Sequence, residues 1–378
     1  MIFFNLRKPN LSIHLDPIIQ AFSHKGNDVT IIYGANADIA KSQYREFGFN
    51  FINEDEVDKI DLNGITICAD VHSKHPPNTY NLNTLHNQPV KYWGHPPHLL
   101  SRIDGFLCWG PFQKDFICHL YSRAGLIKPD LFETGCPLLD PLKILTQRRS
   151  KIFERHGISQ NNHTVLFAPS WNAGLSLQDF GIEILSSLRN APENLNIILR
   201  LHPASLFTGE HDPGGYFSGG ESWSDLVRKL KQNKKNIFDF SNEPNHLEAI
   251  AISDTILTDV SSLAWDALTQ DKNLFFLDCP NWSKVSAKNP NFFVDSETLI
   301  KNHDFLNGGR RYGNGVLDVA SLSTLLTSLS EHKIPGVKRK NCNVLIRKLL
   351  YNAWNSTVPT VDKILALHHQ QITGEFIE

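Results

Sequence analysis

Residues 245–279 read NHLEAIAISDTILTDVSSLAWDALTQDKNLFFLDC. Residues 247–251 suit a short helix. Thr255, Ile256, Leu257 and Thr258 form a short β-branched and apolar run, as a strand buried in a parallel sheet would. Asp259 and Val260 turn the chain, and Ser261 or Ser262 then caps a helix through Ala264, Trp265, Asp266, Ala267 and Leu268. Residues 274–277 form the next strand. This succession of strand, tight turn, capped helix and strand sets the fold class as α/β. In open α/β sheets ligands bind outside the carboxyl ends of the strands. A helix N-terminus with hydroxyls beside it suits a phosphate or diphosphate. Taken alone, Ser261 and Ser262 fit a plain capping role equally well. A second strand end, IILRLHP at 197–203, tips the reading toward an anion site by adding Arg200 and His202.

Working outward, TVLFAPSW at 164–171 is a strand followed by a loop that carries Ser170 and Trp171. Residues 180–188 and 223–230 suit helices, and 237–240 a short strand. Five glycines between 209 and 222 suggest a mobile loop. Gly308, Gly309, Gly313 and Gly315 punctuate another loop around Arg310 and Arg311. Two arginines among glycines suit closure on a phosphate, although plain solvation explains them as well. Residues 316–329 read as a helix.

The first half alternates in the same way. Residues 2–6, 29–33, 65–69, 90–93 and 103–108 read as strands. A helix is expected with Pro17 near its start and Ile18, Ile19 and Phe22 on its buried face; 112–121 suits another. This pattern favours a parallel sheet. His95 follows Gly94 at the end of the 90–93 strand. Pro96 and Pro97 fix the loop after it, so the imidazole is expected to meet a cleft. His98 is the alternative base. We expect an N-terminal domain at 1–150, a second at 151–335 and a helical segment at 336–378 that crosses back to the first.

The chain has 378 residues, enough for two domains of ordinary size, and a formal charge of -2 removes the simple case for a nucleic-acid footprint. The 6 cysteines form no CxxC pair, which suits reduced thiols in the cytoplasm. With no HExxH and no cysteine–histidine cluster, neither a metal nor another cofactor is expected. A dehydrogenase is disfavoured, since no GxGxxG follows a strand. The opening MIFFNLRKPN is too short for a signal peptide and no run reaches the length of a membrane span. The basic, apolar-interrupted stretch 333–354 is a candidate for contact with anionic lipid, or an ordinary packed helix with a solvated basic face.

Three stretches in order resemble the CDP-glycerol glycerophosphotransferase family, the enzymes that extend teichoic-acid-like chains: VLFAPSW at 165–171, RLHP at 200–203, and SD at 253–254 with LTDVSS at 257–262. Residues 135–140, GCPLLD, and His95 in YWGHPPH resemble further family motifs, with Pro96 where the family has a glycine, Leu138 where it has an arginine, and no lysine soon after the histidine. The resemblance spans roughly residues 85 to 320. It implies two Rossmann-like domains facing a cleft (GT-B-like), a CDP-polyol donor gripped mostly by the C-terminal domain, and a glycan or polyol-phosphate acceptor, lipid-linked or not. On this reading His95 is the general base, and Arg200 and His202 hold or protonate the leaving phosphate. Ser261, Ser262 and Thr258 cradle the diphosphate, with Ser170, Trp171, Asp259, Arg310 and Arg311 as further donor contacts. A cytoplasmic enzyme at the inner face of the membrane follows. The alternatives are a glycosyltransferase or sugar-nucleotide epimerase on the same fold, and a non-catalytic nucleotide-binding assembly protein.

Overall fold

A computed structural model describes residues 1–7, 9–24, 28–34, 42, 44–86, 95–243, 245–270, 272–287, 310–335 and 342–374. They divide into two compact units. The described residues of 1–88, 94–141 and 346–378 form one unit, and those of 142–345 the other. In chain order the elements are β1 (Ile2–Leu6), α1 (Pro9–His24), β2 (Val29–Tyr33), β3 (Asn50–Asn53), β4 (Gly64–Cys68), β5 (Thr79–Asn83), α2 (Pro97–Leu100), β6 (Gly105–Cys108), α3 (Pro111–Ala124) and β7 (Asp130–Glu133). Then come α4 (Asp140–Gln147), α5 (Arg149–His156), β8 (His163–Phe167), α6 (Ser176–Arg189), β9 (Leu195–Leu199), α7 (Trp223–Lys231) and β10 (Ile237–Asp239). The chain continues through α8 (His246–Ile252), β11 (Thr255–Thr258), α9 (Leu263–Leu268), β12 (Asn273–Leu277), α10 (Trp282–Ala287), β13 (Gly315–Leu317), α11 (Leu322–Ser330), α12 (Cys342–Leu349) and α13 (Thr357–Thr373).

In the first unit the strands order β3-β2-β1-β4-β5-β6-β7, and the pairings are parallel. Leu11, Leu15, Ile18, Ile19 and Phe22 recur at helical spacing along α1 and pack with Ile2, Phe4, Ile31, Ile65 and Ile67 of the strands. Helix α1 starts well before the position expected, and Pro17 lies inside it. Buried Leu11 and Leu15 extend the apolar face N-terminally, and that burial outweighs the hydrogen bond a proline forfeits. The strand expected at 90–93, with Gly94, lies outside the described residues.

Helix α13 joins the same core through Val361 and Ile364. Its start is fixed by the GCPLLD stretch. Asp140 accepts hydrogen bonds from Ser356 N at 2.8 Å, Thr357 N at 2.7 Å and Thr357 Oγ1 at 2.7 Å. Gly135 has φ of 100° and no room for a Cβ beside Ser356 Oγ and the Tyr351 carbonyl. Asp140→Ala is expected to cost about 1–2 kcal/mol, as loss of a helix cap does. Limited proteolysis should then cut at 350–357 sooner than in the native chain; unchanged cutting would speak against this anchoring.

The second unit has strand order β10-β9-β8-β11-β12-β13, again parallel. Val165, Phe167, Ile197, Leu199, Leu257, Phe275 and Leu277 form its core with Leu177, Ile184 and Leu188 of α6 and Leu322, Leu325 and Leu329 of α11. Two expectations are corrected. Val316 belongs to β13, which pairs with β12, so the helix starts only at Leu322. The 209–222 loop, expected to be mobile, forms short 3-10 turns held by Asp212, which accepts from Phe217 N at 2.7 Å and Ser218 N at 3.2 Å. Its glycines supply left-handed turns, at Gly214, Gly215, Gly219 and Gly220, rather than slack.

Candidate functional site

Strand order in the second unit reverses between β8 and β11. In open parallel sheets, ligands bind outside the carboxyl ends of the strands at such a point. Buried backbone N–H groups there need acceptors. Asp259, fully buried after β11, provides them. Its carboxylate accepts from Ser170 N at 2.9 Å, Ser176 N at 3.2 Å and Ser176 Oγ at 2.7 Å. Thr258 Oγ1, also fully buried, donates to the Ala168 carbonyl at 2.6 Å. Both residues stood among the expected donor contacts, Asp259 with the orientation of the turn as its other expected role. Their side chains lock the β11 turn onto the β8 turn, as that second role requires of Asp259. Ser170 is buried at 3% exposure, and its backbone N–H serves this lock.

The two serines of the next turn separate. Ser261 Oγ accepts from Leu263 N at 3.3 Å and so caps α9. Ser262 directly precedes the helix in αR conformation, and its hydroxyl makes no cap. Both are half-buried.

Arg200 and His202 follow β9, the strand beside β8. Arg200 Nη1 donates to the Phe240 carbonyl at 2.6 Å and the Glu243 carbonyl at 2.8 Å. A guanidinium has five N–H donors, and among the described residues only Nη1 is spent. Burial lowers the Arg200 pKa to about 10, against the opposing charges of Glu243 and Asp239; the group stays cationic at neutral pH. His202 Nδ1 accepts from Ala204 N at 3.1 Å. The neutral ring therefore carries its proton on Nε2 and donates there. Trp171 lies 6.2 Å from His202 between ring centroids, with Phe217 at 5.0 Å and Tyr216 at 5.7 Å on the pinned loop. Gln178 Nε2 holds the cluster by donating to the carbonyls of Trp171 at 2.6 Å and Phe217 at 3.0 Å.

Arg310 reaches the end of β12. Its Nη2 donates to the Leu277 carbonyl at 3.1 Å and its Nη1 lies 3.5 Å from Asp278 Oδ1. Arg311 belongs to the same 3-10 turn, Arg310–Tyr312, but its side chain lies outside the described residues, as do Gly308 and Gly309.

In the first unit the strand order reverses between β1 and β4. Arg7 follows β1, Asp70 and His72 follow β4, and His86 follows β5. Arg7 Nη1 donates to the His72 carbonyl at 3.1 Å. Asp70 Oδ1 accepts from His72 N at 3.1 Å, and His86 Nδ1 lies 3.1 Å from the Ala69 carbonyl. His95, half-buried just before α2, interacts electrostatically with His72, His86 and Asp70. Burial, then His72 and His86, push its pKa down to about 4, with Asp70 opposing. The ring is thus neutral at pH 7 and can accept a proton. His98 sits exposed within α2.

The sequence reading missed the partners of these groups. Glu243 supplies a carbonyl to Arg200, and His246 Nε2 lies 3.2 Å from Asp266 Oδ2 beside the serine-capped helix. A histidine at the start of one helix and an acid inside the next were the available signals, yet only the fold pairs them. Among the described residues no group of three or more His, Cys, Asp or Glu could hold a metal ion.

The family described as CDP-glycerol:poly(glycerophosphate) glycerophosphotransferase matches residues 114–302. No curated protein matches the chain. Among solved structures, the wall teichoic acid polymerase TagF superposes with a TM-score of 0.63 at 14% identity, over 99% of this chain and 90% of that one. A TagF variant soaked with CDPG gives 0.63 at 12% identity, over 98% and 89%. UDP-GlcNAc 2-epimerase from Neisseria meningitidis, bound to UDP-GlcNAc, gives 0.51 at 11% identity, over 96% and 98%. At such identities the likeness is one of fold: α/β, with two parallel sheets, of the GT-B-like class.

Proposed function

We propose a specific reaction for this chain, which belongs to the CDP-glycerol:poly(glycerophosphate) glycerophosphotransferase family and is thereby a glycerophosphotransferase-like enzyme. Glycerol phosphate passes from CDP-glycerol to an acceptor hydroxyl of a surface polymer, and CMP leaves. The acceptor oxygen attacks the phosphorus that carries the glycerol. The bond from that phosphorus to the bridging oxygen breaks, and its electron pair goes to the CMP phosphate. His95, neutral at pH 7, takes the acceptor proton. Arg200 and His202 Nε2 stabilise the charge gathering on the leaving phosphate. Ser262 and the backbone N–H groups before α9 hold the diphosphate.

The observation that carries this reading is the state of Arg200 and His202. Each commits one nitrogen to the backbone, which fixes a donor group at the strand ends next to the switch point, as an anion needs. Trp171 lies beside His202 and packs against Tyr216 and Phe217, which supports an apolar wall there. We place the enzyme in the cytoplasm, acting at the inner face of the membrane. Among the described residues no helix is long and apolar enough to cross a membrane. Leu345 and Leu349 of α12 are buried while Arg347 and Lys348 are exposed, so lipid contact at 333–354 would be electrostatic. Lys338, Arg339 and Lys340 lie outside the described residues.

Calorimetry tests the donor. CDP-glycerol should bind, and Arg200→Ala should weaken it about 10–100-fold, the worth of a hydrogen bond to a charged group. Binding of a UDP-sugar alone would favour the second reading, sugar transfer or epimerisation, which the fold likeness to UDP-GlcNAc 2-epimerase supports.

A further inference from the structure

The loop that grips Arg200 also forms one wall of a cavity of about 370 Å³, lined by Arg155, His156, Glu243, Asn245 and Glu248. Its size falls within the usual range of small-molecule sites, about 300–1,000 Å³. The far wall is ion-paired. Arg155 Nη2 pairs with Glu248 Oε2, and His156 Nε2 lies 3.6 Å from the same carboxylate. Phe240 packs against the His156 ring at 4.4 Å between centroids, with the planes tilted by 40°, which braces an aromatic ring in the lining. The near wall carries unspent polar groups. Asn245 Oδ1 accepts from Leu247 N at 2.8 Å, which leaves its amide nitrogen as a donor. No described residue donates a hydrogen bond to the Glu243 carboxylate, whose charge acts on Arg200, and the Glu243 backbone carbonyl accepts from Arg200 at 2.8 Å.

An aromatic ring, a carboxylate acceptor and an amide donor in one lining make a complement to a planar heterocycle. Because Arg200 is tied to Phe240 and Glu243, a nucleotide whose phosphate meets the guanidinium would reach this cavity with its base. We propose that the cavity takes the pyrimidine base of the donor and that Glu243 reads the exocyclic amine of cytosine. Cytosine offers an N4 amine donor where uracil offers an O4 acceptor. A carboxylate accepts from the first and repels the second. Asn245 donates to the ring acceptors N3 and O2. This inference rests on the nucleotide-donor reading above, and it adds the residue that sets base specificity.

The test is calorimetry with CDP and UDP on the native chain, Glu243→Gln, His156→Leu and Arg200→Ala, each checked for native melting. The native chain is expected to prefer CDP by about tenfold or more, since a site built to pair one polar group rejects the analogue lacking it. Glu243→Gln, whose amide can donate to O4, should bring the CDP:UDP ratio toward one. His156→Leu should weaken both nucleotides while keeping the ratio. An unchanged ratio in Glu243→Gln, with CDP binding still weakened by Arg200→Ala, would overturn the base pocket and leave the anion site standing. Failure of the native chain to bind CDP at all would overturn both.

Discussion

His95→Ala is expected to lower kcat about 10²–10⁴-fold, the usual contribution of a general base, while donor affinity is unchanged. The acceptor hydroxyl is a weak nucleophile, and no other step in the scheme supplies a proton acceptor for it. Burial and the neighbouring His72 and His86 hold the His95 pKa at about 4, well under the ordinary value near 6.5. The base stays unprotonated through the neutral range. On acidification kcat/KM should therefore stay level through pH 6 and fall only as pH approaches 4; a limb near 6.5 would contradict the assignment. The same shift has a stability consequence. The folded pKa lies below the unfolded one, so between about 4 and 6.5 the unfolded chain binds more protons. The stability present above pH 6.5 is lost progressively as pH falls toward 4. Denaturation at pH 7 and pH 5 should show this slope in the native chain and a smaller one in His95→Ala.

Asp259→Ala should destabilise the second unit by about 3–5 kcal/mol, since each buried donor left unsatisfied costs about 1–3 kcal/mol. Three donors, Ser170 N, Ser176 N and Ser176 Oγ, lose their acceptor at a fully buried position. Asn in its place turns an amide N–H₂ toward one of these donors and recovers only part of the loss. Thr258→Val removes a single hydroxyl donor to the Ala168 carbonyl and should cost about 1 kcal/mol, with donor binding retained. Urea denaturation of the three variants ranks them. Native-like stability of Asp259→Ala would refute the lock across the switch point.

The strands that frame the site were legible because they are apolar runs. β8, β9, β11 and β12 lie inside a parallel sheet, and each carries an apolar centre, VLF, IIL, IL and LFFL in turn. Polar strands hid. β5 reads TYNLN, and its buried polar groups are satisfied sideways: Asn81 Nδ2 donates to the Arg102 carbonyl at 2.9 Å, and Thr79 and Thr66 hydroxyls meet at 2.8 Å. β13 hid because an edge strand of three residues carries no period. For the site, residue type at strand ends singled out Arg200, His202, Ser261 and Ser262. It could not tell which polar groups the backbone would consume. Thr258 looks like a ligand in the string and its hydroxyl is spent on the Ala168 carbonyl, whereas Glu243 looks like solvent-facing loop and adjoins Arg200. That distinction lives in cross-strand proximity, which no local pattern encodes.

The most direct measurement is nucleotide product analysis after incubation with CDP-glycerol and a short poly(glycerol phosphate) acceptor. Glycerol phosphate transfer from CDP-glycerol requires CMP released in step with acceptor elongation, and neither in His95→Ala. Elongation without CMP, or turnover only of a nucleotide-sugar with release of a nucleoside diphosphate, would contradict it.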